Sequence, residues 1–182
     1  MTNEQREVAI LSDVVTRFEN LKQSTSRWAL LVKYKNQPTS EAINNLLNQS
    51  IIRRKNSNQS TAEEEYLPTA AAFQFCEDTQ IRDLAKRAAT VVLHTLQQMF
   101  VGEQKKEGFV FEDLKRHAAL VYPTQTIDDA TLKLGLYLAR ELHVLAGNRL
   151  TQPDETEVEW FQIGEAAITM ANPDTEWDRV MA

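Results

Sequence analysis

The sequence is poor in cysteine, glycine, proline, basic charge and long apolar runs, and each shortage excludes something. Cys76 is the one cysteine of 182 residues, so no internal disulfide can form, and a reducing, cytoplasmic setting is the expectation. It ends the apolar run AAAFQFC and reads as a packed thiol rather than a nucleophile. Five glycines and five prolines are too few for a loop-rich fold and favour helices. No apolar run approaches the ~20 residues of a membrane span. The opening MTNEQREVAI has no apolar core after a basic start, so no secretory leader is expected.

Catalytic signals are equally scarce. His94, His117 and His143 fall on three separate expected helices, without neighbours at ligand spacing, and read as structural; neither metal nor cofactor is expected. A glycine-rich phosphate loop, a G-x-S-x-G elbow and a paired C-x-x-C are all missing. Glu63, Glu64 and Glu65 read as a solvated turn tip. The sequence therefore points to recognition, not to an enzyme.

Basic charge totals 20 Lys and Arg against 26 Asp and Glu, a net charge of −6, which argues against tight non-specific binding to nucleic acid. The distribution is uneven, however. Arg27, Lys33, Lys35, Arg53, Arg54 and Lys55 face a single acid, Glu41, in their stretch, whereas the second half is acidic, most of all at 154–159 and 174–178.

What is present is helical periodicity. Val8, Leu11, Val14, Val15, Phe18 and Leu21 mark a helix over 4–22. A short helix over 27–35 is expected, capped by Ser26, with Trp28, Leu31 and Val32 inward. Asn36-Gln37-Pro38 should break it, and Thr39 or Ser40 should cap a third helix whose apolar face is Ala42, Ile43, Leu46 and Leu47. Residues 51–55 read as a strand, 56–65 as a polar turn and 66–75 as a returning strand. The clearest helix is 78–100, capped by Asp78, with Ile81, Leu84, Ala85, Ala88, Val92, Leu96 and Met99 at the helical period. Helices over 109–122 and 126–144 follow, the second buried nearly all round despite the strand-like alternation of Leu132, Leu134, Leu136 and Leu138. Gly147-Asn148 should end it, and 157–163 should be a strand with Val158, Trp160 and Gln162 on one face.

A pattern recurs within this order. SEAINNLLNQSIIRRK, a polar gap and YLPTAAAF are answered by LYLARELHVLAGNRL, a polar gap and EVEWFQIGEAAI. The succession of helix, helix, proline turn, helix, strand, polar wing and strand resembles the winged-helix family, well over 4–75 and more loosely over 109–168. The resemblance implies a mainly α fold with small β-hairpins. Two winged-helix-like units, 1–77 and 104–171, would be joined by a connecting amphipathic helix, 78–103, and followed by an acidic tail, 172–182.

Carried onto this sequence, the resemblance implies a DNA-binding, regulatory protein whose third helix enters the major groove. Ser40, Glu41, Asn44, Asn45 and Asn48 would face bases, asparagine being able to bond adenine in bidentate fashion. Arg53, Arg54 and Lys55 would touch phosphate. The bland reading stands beside it: a solvated helix face and an edge strand guarded by charge. The acidic wing of the second unit, 152–157, would be repelled by phosphate, so that unit is expected to mediate association, with Val91, Leu93, Phe100 and Trp177 as partner-binding residues. A homodimer through 4–22 and 78–100 is expected. The alternative function is a protein-binding adaptor in a larger complex without nucleic-acid contact.

Overall fold

The computed structural model describes residues 1–34, 37–56, 60–102, 107–150 and 155–169. The protein is mainly helical with two small antiparallel sheets. The chain divides into two compact units, Met1–Arg82 and the chain from Asp83 onward, so that the division falls inside a helix. No helix of the described residues is long and apolar enough to cross a membrane.

In the first unit, α1 (Asn3–Leu21) begins with a capping box. The Gln5 amide donates to Thr2 Oγ1 (3.2 Å), and the Thr2 amide donates to Gln5 Oε1 (3.0 Å). Of its expected stripe, Leu11, Val14, Val15 and Phe18 are buried and Val8 is half-buried, while Ile10, outside that stripe, is buried as well; the Leu21 side chain lies outside the described residues. Then come β1 (Thr25–Ser26), α2 (Arg27–Tyr34), α3 (Gln37–Asn48), β2 (Ile52–Arg54), a 3-10 turn (Thr61–Glu63), β3 (Glu65–Pro68) and α4 (Ala70–Phe75). The sheet order is β1-β3-β2, with Thr25 opposite Tyr66 and Arg54 also opposite Tyr66. Helix α1 packs on α3, β3 and α4, and Phe18 meets Phe73 edge to face at 6.1 Å.

The second unit contains most of α5 (Thr79–Gly102), followed by β4 (Phe109–Val110), α6 (Phe111–Val121), α7 (Asp129–Glu141), β5 (Leu145–Leu150), β6 (Val158–Ile163) and α8 (Ala166–Thr169). Its sheet order is β4-β6-β5, the order of the first sheet. Asp78 caps α5 as expected, accepting from the amides of Gln80 (2.9 Å) and Ile81 (3.2 Å). Helix α7 is buried from Thr131 to Ala139 apart from Lys133, which explains its uninterrupted apolar run. Gly135 makes this possible, because a Cβ there would strike the Ala88 carbonyl of α5.

Several expectations are corrected. Trp28 and Val32 point outward, 70% and 60% exposed, and Leu30 is the residue α2 buries. Helix α3 starts at Gln37, before Thr39, with Pro38 in the first turn, where a missing amide costs no helical bond. The returning strand stops at Pro68. Residues 70–75 are helical, because the Thr69 hydroxyl and amide bond the Ile51 carbonyl (2.8 and 3.1 Å) and turn the chain out of the sheet. Phe109 and Val110 form a strand against β6, not the start of a helix. The helix over 126–144 ends at Glu141, and Gly147 and Asn148 lie in β5; His143, with φ 58°, makes the turn between them.

Candidate nucleic-acid interface

The expected interface comprises α3 and the β2–β3 hairpin. Helix α3 buries Ala42, Ile43 and Leu46, which leaves Glu41, Asn44 and Asn48 exposed on its opposite side. Asn44 and Asn48 are one turn apart. Asn45 is turned toward α1, where its Nδ2 donates to Glu7 Oε1 (2.8 Å). Ser40 is half-buried, and its Oγ accepts from Arg27 Nη2 (3.1 Å).

Behind this face lies a polar cluster that the sequence reading missed. Glu64, expected at a solvated tip, is 7% exposed. Its Oε1 accepts from Arg54 Nε (2.8 Å), and its Oε2 accepts from Tyr66 Oη (2.7 Å) and Arg27 Nη1 (3.2 Å). Arg27 Nη1 also donates to Tyr66 Oη at 3.0 Å. A buried carboxylate is tolerated only when paired in this way. Burial pushes the Glu64 carboxyl up, but the bonds from Tyr66 and Arg54 and the two guanidinium charges outweigh it and hold the group below the usual range. Burial first, and the bond to Glu64 second, push the Tyr66 phenol up to about 12. A signal was present in the spacing: Glu64, in extended backbone just before β3, lies two residues from Tyr66, which puts both side chains on one side of the chain.

The basic triplet is thereby largely committed. Arg54 keeps a half-exposed side chain while paired to Glu64. Lys55 is 11% exposed and pairs with Glu65 Oε2 at 3.0 Å. Arg53, half-buried, donates from Nη1 to the Arg54 carbonyl at 3.5 Å. The structure thus brings Ser40 and Arg54 together through Arg27 and Glu64, and leaves Asn44 and Asn48 free of that cluster.

The expected partner-binding residues fare differently. Val91 and Leu93 are buried within the chain, 6% and 0% exposed, Phe100 keeps some exposed surface, and Trp177 lies outside the described residues. Each histidine is separate: His94 Nδ1 is 3.1 Å from Tyr122 Oη, His117 Nδ1 is 2.8 Å from the Asp113 carbonyl, and His143 is exposed. Among the described residues no group of three or more His, Cys, Asp or Glu could hold a metal ion. Cys76 is buried, and burial raises its thiol pKa, which disfavours the thiolate.

No protein-family model, no curated protein and no solved structure matches the chain.

Proposed function

We propose that the protein is a non-catalytic recognition protein of two winged-helix-like units, the first of which binds double-stranded DNA through α3. The repeated order of helix, strand, helix, helix, strand, strand, with equivalent strand order in both sheets, supports the winged-helix reading. The observation that carries the DNA reading is the solvent face of α3. Glu41, Asn44 and Asn48 are short polar side chains of the kind that reach base edges, on a helix beside a hairpin strand carrying Arg53 and Arg54. Asn44 and Asn48 read bases, and Arg53 and Arg54 meet phosphate. Ser40, Asn45 and Lys55, all engaged within the unit, position these elements.

The adaptor reading has its own support. Arg27, Arg54 and Lys55 are already neutralised by Glu64 and Glu65, while Trp28 and Val32 stand exposed one turn apart on α2, and isolated tryptophans are frequent anchors in protein interfaces. A mobility shift with mixed-sequence duplex DNA at low salt separates the two. Binding that weakens in the double variant Arg53→Ala/Arg54→Ala supports the DNA reading; a wild type that shifts no duplex leaves the adaptor.

A further inference from the structure

An open groove of about 430 Å³ runs between α1 and α2 in the first unit, on residues that the DNA reading does not use. Asp13, Arg17 and Asn20 lie along one face of α1, a span of about 10 Å at 1.5 Å per residue. Ala29 and Leu30 of α2 give it an apolar floor. One end is closed by a neutral pair: Lys33 Nζ meets both oxygens of Asp13 (2.7 and 2.8 Å), and Tyr34 Oη donates to the same carboxylate at 2.6 Å. The charge left over is Arg17. Its Nε donates to the Ser24 carbonyl (2.9 Å) and its Nη2 to Gln23 Oε1 (3.0 Å), so the guanidinium is held in place by neutral acceptors. Among the described residues no carboxylate pairs with it, and Nη1 makes no bond. Next to Ser24, whose carbonyl holds Arg17, Thr25 is 4% exposed, and its hydroxyl is buried without a hydrogen-bond partner. Such a group costs free energy that a polar ligand can recover.

A pre-held, uncompensated guanidinium above an apolar trough fits one ligand chemistry, a carboxylate carried on a small apolar body. The fixed fork lowers the ordering cost of binding, and a charge-assisted bond to Nη1 supplies the orientation. We propose that this groove binds apolar carboxylates, with Arg17 as anchor, Asn20 and Thr25 as polar neighbours, and Ala29 and Leu30 beneath the apolar body. Two sources carry that chemistry: a free aryl or alkyl acid, and the C-terminus of a protein ending in an apolar residue.

The full-length protein would be titrated with hydrocinnamate while backbone amide resonances and heats are followed. Saturable binding with a Kd at or below about 1 mM is expected, with shifts at Thr25, Ala29 and Lys33. Hydrocinnamyl alcohol should not bind. Arg17→Gln should weaken binding about tenfold or more, and Ala29→Trp, which fills the trough on an exposed position, should abolish it with the melting transition kept. A short peptide ending in leucine, as free acid and as amide, distinguishes the sources. Tighter binding of the peptide acid than of hydrocinnamate assigns the groove to a protein C-terminus, and hydrocinnamate binding without peptide binding assigns it to free acids. No saturable binding of either acid, equal binding of the alcohol or the amide, or unchanged affinity in Arg17→Gln would overturn the proposal. None of these outcomes depends on whether α3 binds DNA.

Discussion

At the residue scale Glu64 decides the most. Its two oxygens receive Arg54, Tyr66 and Arg27, and Arg27 passes the connection on to Ser40 of α3. Four elements therefore depend on one carboxylate. Glu64→Gln leaves a guanidinium, 12% exposed, without its counter-charge, and a loss of about 3 kcal/mol is expected in urea unfolding at neutral pH. The sign with pH follows from its lowered folded-state pKa. The stabilisation is present above the ordinary value of 4.5 and disappears as the pH falls through the folded value. The gap between wild type and Glu64→Gln should therefore close in acid. Tyr66 works at the other end of the scale. Its folded-state pKa is raised from 10.0 to about 12, so its contribution is present below pH 10 and lost as the pH rises toward the folded value. Over that interval wild type should lose roughly 2–3 kcal/mol relative to Tyr66→Phe. A stability difference that stays flat from about pH 9 to 12, a range that contains both values, would contradict the role given to the phenol.

At the element scale, length governed what the sequence could reveal. Helices α1, α5 and α7 are long enough for a stripe to repeat three times or more, and their existence, most of their buried residues and the Asp78 cap of α5 were legible, whereas the caps Thr2 of α1 and Asp128 of α7 were not. Helix α2 has 8 residues, only about two turns. Two stripes compete there, Trp28-Leu31-Val32 and Arg27-Leu30-Tyr34, and hydrophobicity favours the wrong one. What settles the matter is Arg27, whose partner Glu64 is 37 residues away and invisible to local periodicity. The same holds for the candidate site. The exposed side of α3 was readable from its own period, but the withdrawal of Asn45 depends on Glu7 and that of Lys55 on Glu65. Strands β1 and β4, of two residues each, carry no period at all. Gly135 gives an element-scale test. Gly135→Ala should raise local helix propensity, yet its Cβ meets the Ala88 carbonyl and must push α7 from α5. A net destabilisation of about 2 kcal/mol is expected by thermal unfolding, and a raised melting temperature would show that the helices are less tightly apposed than described.

At the scale of the whole molecule, two expectations meet the structure. The expected dimer rests on apolar surface of the connecting helix, where Val91, Val92, Leu93, Leu96 and Met99 are buried within the chain, Ile81 and Phe100 are half-buried, and Leu84 at 37% and Val101 at 64% are exposed. Sedimentation equilibrium at micromolar concentration should return a single species of 20.8 kDa; a doubled mass would restore the dimer.

The DNA reading asks a protein of net charge −6 to hold a polyanion with a locally basic hairpin, which makes its salt dependence the sharpest test. Fluorescence anisotropy with labelled duplex DNA would be recorded over a salt series for wild type, Arg53→Ala/Arg54→Ala and Asn44→Ala/Asn48→Ala. The account predicts wild-type binding that weakens with salt. The arginine variant should bind more weakly, with a log–log slope shallower by about two, and the asparagine variant should keep the wild-type slope and change its preference among duplexes. No wild-type binding at about 20 mM salt, where such contacts are least screened, or an arginine variant indistinguishable from wild type, would contradict it.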